Sequence, residues 1–423
     1  MSLHNRNLAA GLIVSLLCGA FASGGDDFAI RDGDTVVFLG DSITAAKIYG
    51  KLIENYTLLR FPDRKVHFIN AGRGGDTAAG GIKRFEHDVL AHHPTLVTVA
   101  YGVNDIGWGV HADDAHKREY LDGIRGMVEA CKKRGIRIFI CSAAVTAEDP
   151  DKSEQGFLQK MCDEGMQLSR LLGGQSIDVQ RSMRAIQKQM SAANAKADAK
   201  QEKATLHVAD GVHLNDVGQL AMALAILKGL GAPADVSAAG IDAKELKTIR
   251  ADGCSVTDLK KNGDTIEFTR LDRGLPLNNG LFFALQFRFV PIPEELNRYM
   301  LSVVNLPEGQ FEVLADGRSA GHFSSQDLAG GVNIASSTGD PWEPGGPWNA
   351  QANILQALTE SRNQLGTAMN FAEAYLKDTS LPGALPKDSE RANEQIEEMQ
   401  RLVARPRPYH FVIKPYVPPP QKK

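Results

Sequence analysis

The sequence predicts an α/β protein in which helices cover a largely parallel sheet, followed by a small C-terminal β domain and helical segments. Two observations carry this. From Thr35 to about Gly231 short apolar runs alternate with amphipathic segments, and after Pro233 the texture changes to strand-like runs separated by turn residues. Alternation of the first kind marks repeated βα units, because a buried parallel strand needs helices on the faces of its sheet.

Val36-Val37-Phe38-Leu39, Val66-His67-Phe68-Ile69, Leu96-Val97-Thr98-Val99-Ala100 and Ile136-Arg137-Ile138-Phe139-Ile140 are β-rich and bounded by Gly, Asn or Pro, as buried parallel strands are. Between the last two, Tyr120, Ile124, Met127, Val128 and Cys131 recur at helical spacing, and Gly135 supplies a stop. Ala185 to Lys203 is rich in Ala, Gln and Lys without an aromatic and reads as a mostly exposed helix. Thr265 to Thr269, Leu281 to Val290, Tyr299 to Val304 and Phe311 to Leu314 read as antiparallel strands, with Leu306-Pro307-Glu308-Gly309 and Asp316-Gly317 as turns. Helices are expected at Ala350 to Lys377 and Lys387 to Ala404, and the prolines of 405–423 predict an extended or disordered tail. The expected partition is a signal segment at 1–22, the α/β domain at 27–234, a small β accessory domain at 235–337, a helical region at 338–404 and a Pro-rich tail at 405–423.

The 423 residues suffice for two or three domains, each able to bury its own core. With 47 basic and 51 acidic side chains and no basic block, the chain is not built to neutralise phosphates, which argues against a nucleic-acid partner. Leu8 to Ala22, preceded by Arg6 and closed by Ala20-Phe21-Ala22, reads as a cleavable secretory signal. It falls short of the roughly 20 residues that span a bilayer, and a retained anchor is the alternative. A secreted or periplasmic protein is therefore expected, with no stable membrane span once the signal is removed. Cys131, Cys141, Cys162 and Cys254 then remain without C-x-x-C spacing, which indicates neither a zinc site nor a thioredoxin-like motif. Export permits disulfides without requiring them.

Four short blocks carry chemistry. Gly40-Asp41-Ser42-Ile43-Thr44 directly follows a predicted strand, where α/β sheets place their ligand crevice, so Ser42 is a candidate nucleophile. Asn70-Ala-Gly-Arg-Gly-Gly-Asp-Thr77 follows the next strand, and its glycines let backbone approach a ligand. Tyr101-Gly102-Val103-Asn104-Asp105 ends the third strand and offers the Asn104 amide to developing negative charge. Asp210-Gly211-Val212-His213-Leu214-Asn215 supplies an imidazole that can take and return a proton near neutrality, with Asp210 three residues away to orient it. Each block alone is also an ordinary turn or cap; together and in this order they are an improbable coincidence.

In this order the blocks resemble the SGNH (GDSL-type) hydrolase family, over about Asp34 to Leu230. The resemblance implies a serine esterase or lipase with a flavodoxin-like three-layer α/β/α sandwich and neither metal nor organic cofactor. It implies Ser42 as nucleophile, His213 as general base and Asp210 as its orienting acid. The implied oxyanion hole is the backbone N–H of Ser42, the backbone N–H of Gly75 and the side chain of Asn104. Leu214 stands where many members carry proline, and residues from Asp235 onward inherit no role from the family. The expected function is an exported esterase that acts through a Ser42 acyl-enzyme and deacetylates a carbohydrate, its partner being a small-molecule or polysaccharide ester. The alternatives are a lipase or thioesterase-type acyl hydrolase, or a carbohydrate-binding protein with a vestigial site. Arg73, Lys47 and Trp108 near the blocks suggest a polar entrance. The loop from Trp342 to Trp348 reads as internal packing in preference to a sugar-stacking platform, and His87 and His92, five apart, lack the i, i+4 spacing of helical metal ligands.

Overall fold

The computed structural model describes residues 27–198, 202–280, 283–340, 342–343, 345–375 and 385–417. The signal segment expected at 1–22 lies outside the described residues. Strands β1 (Thr35–Gly40), β2 (His67–Gly72), β3 (Leu96–Ala100), β4 (Arg137–Cys141) and β5 (Gln175–Ile177) form a parallel sheet in the order β2-β1-β3-β4-β5. Between and after them run α1 (Ser42–Ala45), α2 (Ile48–Arg60), α3 (Ala78–Asp88), α4 (Asp114–Lys133), α5 (Pro150–Ser153), α6 (Phe157–Leu171), α7 (Val179–Lys196) and α8 (Asp216–Gly229).

Strand β1 shows why the sandwich has three layers. Val36 and Phe38 enter the core shared with α2 and α8, while Val37 and Leu39 enter the core shared with α3 and α4. Successive side chains of a strand point to opposite faces, so a strand covered on both sides must be apolar at every position. The strand order reverses between β1 and β3, and in such sheets the ligand crevice opens at the carboxyl ends of those strands. Ser42 follows the first and Asn104 the second. Helix α7 begins at Val179, ahead of the segment expected to be mostly exposed, and buries Met183, Ile186 and Met190, an i, i+3, i+7 stripe, while most of 185–198 stays out of the core.

The second part of the chain comprises β6 (Asp235–Asp242), β7 (Lys247–Asp252), β8 (Cys254–Asn262), β9 (Thr265–Asp272), α9 (Ile292–Glu295), β10 (Arg298–Val304), β11 (Gln310–Ala315), β12 (Arg318–Ser324), α10 (Ser325–Gly330), β13 (Val332–Asn333), α11 (Pro347–Tyr375), α12 (Leu385–Ala404) and β14 (Tyr409–Pro415). The strands form two sheets, β13-β10-β6-β7 and β12-β11-β14-β9-β8. Three expectations are corrected. Strand β10, expected to be antiparallel, runs parallel to β6 and antiparallel only to the two-residue β13. The apolar run of 281–290 is not a strand over its described residues: Phe283–Arg288 coils as a 3-10 helix, with Phe283 and Phe287 meeting edge to face at 4.9 Å. The segment from 405, expected to be an extended or disordered tail, is extended as an ordered strand: β14 pairs with both β11 and β9 and buries Tyr409, Phe411 and Ile413. Those three inward side chains supply the apolar face that the neighbouring prolines disguise. Trp348 is fully buried against Tyr299, Tyr409 and Phe411 and donates its indole N–H to the Ala335 carbonyl at 2.9 Å, so this end of the loop is packing; Trp342 is exposed. Cys131, Cys141, Cys162 and Cys254 are free thiols.

Helix α2 is the seam between the two parts. Its Arg60 guanidinium donates to the carbonyls of Asp235 (2.5 Å) and Leu296 (2.6 Å), and its Glu54 accepts from Arg362 of α11 and from Gln400 of α12 (2.8 Å). The Glu54 carboxylate is buried, and cations and amides must meet it there because an unpaired buried charge is costly.

Candidate active site

The turn after β1 presents Ser42 as the first residue of α1. Gly40 is required there by contact: a Cβ would lie 2.1 Å from Thr44 Oγ1 and 2.7 Å from the Ala100 carbonyl oxygen. Asp41 caps the helix by accepting the Ile43 N–H at 2.9 Å, which leaves the Ser42 hydroxyl free of capping duty. Opposite it, the segment before α8 folds back on itself through a bridge between His207 and Leu214, and Asn215 caps α8 by accepting the Gly218 N–H at 2.9 Å. Leu214, in place of the family's usual proline, is buried in the core.

Between those anchors Asp210 Oδ1 accepts the backbone N–H groups of Val212 (2.8 Å) and His213 (2.9 Å). Its other oxygen meets His213 Nδ1 at 2.6 Å, and His213 Nε2 lies 2.8 Å from Ser42 Oγ. A carboxylate at Nδ1 assigns the proton to that nitrogen and leaves Nε2 as acceptor for the serine hydroxyl. The Val212 N–H, followed by the His213 side chain and N–H, holds the Asp210 carboxyl down to about 2. It is ionised throughout the neutral range.

The glycine block and Asn104 converge on one another. Gly75 sits at a left-handed φ of 70°, and among the described residues no group accepts its N–H. The turn is held by Asp76, whose Oδ2 accepts from Arg84 (2.7 Å) and from the Tyr101 hydroxyl (2.8 Å). The Asn104 amide donates one N–H to the Asp76 carbonyl at 3.1 Å and keeps its second N–H. Its oxygen accepts the Trp108 indole N–H at 2.8 Å. Trp108 was noticeable in the sequence only as a neighbour of the blocks. It occupies a left-handed φ of 56°, is 50% exposed, and meets the His213 ring edge-on at 5.7 Å. No sequence pattern announces that role, since it depends on a strained turn after the third block.

Residues 38–221 match the GDSL-like Lipase/Acylhydrolase family. The matched segment takes in Ser42, Gly75, Asn104, Asp210 and His213. Among curated proteins, an acetylxylan esterase from Geobacillus stearothermophilus is 30% identical over 92 residues, an alignment taking in 18% of this chain and 42% of that relative. The chain thus spans less than half the length of the curated relative that it matches. Among solved structures, a gut microbial diltiazem-metabolizing enzyme superposes with a TM-score of 0.79 over 92% of this chain and 100% of its own, at 22% identity. That likeness is one of fold, and it extends through the β and helical regions beyond the GDSL-like domain. The structure of an acetylxylan esterase from Geobacillus stearothermophilus covers 48% of this chain and 96% of its own, with a TM-score of 0.41 at 20% identity.

Two further carboxyls of the GDSL-like domain lie buried beneath the site. Burial pushes Asp41 up to about 6 and Asp105 up to about 7. Asp105 Oδ1 accepts the Ala78 N–H at 2.8 Å at the start of α3, while its Oδ2 has no partner. A carboxyl that binds its proton more tightly in the folded state supports folding below the unfolded value of about 3.9 and loses that support as pH rises to the folded value. Asp105→Asn keeps the acceptor for Ala78 and removes the charge. It is expected to unfold at a higher temperature than the parent at pH 8 and to lose the advantage by pH 4 in thermal melts across that range.

The other charged residues near the blocks turn elsewhere. Arg73 faces Asp88 at 3.4 Å, and Lys47 reaches the Asn363 carbonyl (2.9 Å) and Thr367 hydroxyl (2.7 Å) of α11. His87 pairs with Asp88 at 2.7 Å. Among the described residues no group of three His, Cys, Asp or Glu side chains is placed to hold a metal ion, and no helix is long and apolar enough to cross a membrane.

Proposed function

We propose that this protein is an exported serine esterase that hydrolyses carboxylic esters through an acyl-enzyme on Ser42, with an acetylated carbohydrate as substrate. The reading rests on the relay in which Asp210 meets His213 Nδ1 at 2.6 Å and His213 Nε2 meets Ser42 Oγ at 2.8 Å. In the first step Ser42 Oγ attacks the ester carbon as its proton passes to His213 Nε2. The imidazolium formed is stabilised by Asp210, which stays ionised. The carbonyl oxygen becomes an anion that accepts the N–H groups of Ser42 and Gly75 and the second N–H of Asn104. Trp108 fixes which end of the Asn104 amide carries hydrogen, so that donor is in place before charge develops. His213 then protonates the departing alcohol, and water repeats the attack with His213 again as base, releasing acid and free Ser42.

Export is supported by the Arg6 to Ala22 pattern, and a sugar acetate by the activity named for the acetylxylan esterase relative. A lipase or thioesterase would use the same relay. A vestigial site is disfavoured because loss of selection would not preserve a hydroxyl, imidazole and carboxylate at hydrogen-bond distances.

A p-nitrophenyl alkylphosphonate tests the reading. Ser42 Oγ forms the bond to phosphorus, nitrophenolate leaves, and the serine proton passes to His213. One equivalent of nitrophenolate and a peptide mass that places the adduct on Ser42 are expected, together with faster turnover of acetylated xylooligosaccharides than of long-chain p-nitrophenyl esters. An unlabelled Ser42 would overturn the mechanism, and a preference for long acyl chains would overturn the substrate.

A further inference from the structure

A cleft of about 340 Å³ lies between the GDSL-like domain and the C-terminal region. One wall is α2 with the first residue of α8, and the other is α11 with Asn279 and Gln286. Its size falls in the range of small-molecule sites, which favour such junctions.

Asn55 of α2 lines this cleft and is 1% exposed. Its Oδ1 accepts the Thr359 hydroxyl at 2.6 Å, while its Nδ2 has no partner. Turning the amide over does not cure the deficit. Thr359 can instead donate to the Leu355 carbonyl (3.0 Å) and accept from the turned amide, but the Asn55 oxygen is then the atom left without a partner. Buried amides without full pairing are uncommon in folded interiors.

The remaining lining narrows what that ligand is. Asn279, Gln286 and Gln356 each carry a donor and an acceptor, the pairing a hydroxyl needs, and Asp216 adds an acceptor. Lys51 is neutralised by its ion pair with Glu360, so no surplus positive charge is present to hold a phosphate or carboxylate. Among the described residues Ile48 and Leu52 are the only apolar side chains in the lining, too few for an acyl chain. Along the chain the cleft adjoins the relay: Asp216 stands three residues after His213, and Ile48 six after Ser42.

We infer that this cleft is a saccharide subsite, in which the carboxamides of Asn279, Gln286 and Gln356 read the hydroxyls of the sugar whose ester is presented to Ser42. Its place in the reaction rests on the esterase reading above; its binding of sugar does not. The C-terminal region thereby becomes part of substrate selection.

Calorimetric titration of the full chain with xylotriose, which carries no ester, tests the binding, with Gln356→Leu and Asn279→Leu as partly buried substitutions on separate elements. Binding to the parent and to Ser42→Ala is expected, weakened about tenfold in either cleft variant, as loss of one or two hydrogen bonds gives. With acetylated xylotriose, kcat/KM should fall by a similar factor in the cleft variants while p-nitrophenyl acetate turnover is unchanged. No xylotriose binding by the parent, or equal binding by both cleft variants, would overturn the inference. Bound xylotriose without hydrolysis of either ester would overturn the esterase reading and leave the subsite standing.

Discussion

Ser42→Ala is expected to lower kcat for p-nitrophenyl acetate by about 10⁶-fold, the scale on which serine hydrolases respond to loss of the attacking oxygen. The fold should not respond. Helix α1 is capped by Asp41 through the Ile43 N–H, and His213 is held by Asp210, so removing the hydroxyl disturbs neither neighbour. The donors around Gly75 and Asn104 also survive, and they leave a residual rate above that of water. Initial rates of nitrophenolate release, paired with thermal melts of parent and variant, separate the two effects. A variant within tenfold of the parent rate at unchanged melting temperature would remove Ser42 from the chemistry.

Asp210→Asn should cost on the order of 10⁴-fold in kcat, and the direction follows from the backbone. Oδ1 accepts two main-chain N–H groups, from Val212 and His213, and an amide N–H2 cannot take that place. The new amide must therefore keep its oxygen there and turn its nitrogen toward His213 Nδ1. Nδ1 then becomes an acceptor and Nε2 carries the hydrogen, facing a Ser42 hydroxyl whose proton it can no longer receive. Because the parent Asp210 is held down to about 2, its own protonation plays no part in the acid limb of the pH profile of kcat/KM between pH 4 and 8. Steady-state kinetics over that interval check both points. A loss smaller than tenfold would mean that the imidazole is oriented by something other than Asp210.

The parts of the molecule that could be read in advance are those where one local rule decides. Strands β1, β3 and β4 are buried at every position after the first because both faces of their sheet are covered, and the four blocks stand at strand ends or before a helix where side chains are presented. Where the deciding partner is distant, the pattern misleads. β5 is three residues long, two of them polar, and takes its strand form from β4. β6 reads as Asp-Val-Ser-Ala-Ala-Gly-Ile-Asp, small residues that become buried only once β7 and β10 flank it. β7 is exposed at every position, and β8 at most, so neither has an apolar face to recognise. The candidate site was legible as residue identities. Its Trp108 strut and the cleft beside α2 arise from a left-handed turn and from α11, about 300 residues further along, neither of which local spacing encodes.

The position of β14 bears on how the protein is made. Its residues 409–415 sit between β11 and β9, so the C-terminal sheet is two separate hairpins until that segment arrives. The ribosome can release a finished parallel sandwich early, but the second sheet can close only after residue 415 has left the exit tunnel. A premature stop near residue 405 would spare Ser42, Asp210 and His213 and still leave the edges of β9 and β11 open to pair with other chains, an aggregation hazard created by losing one strand.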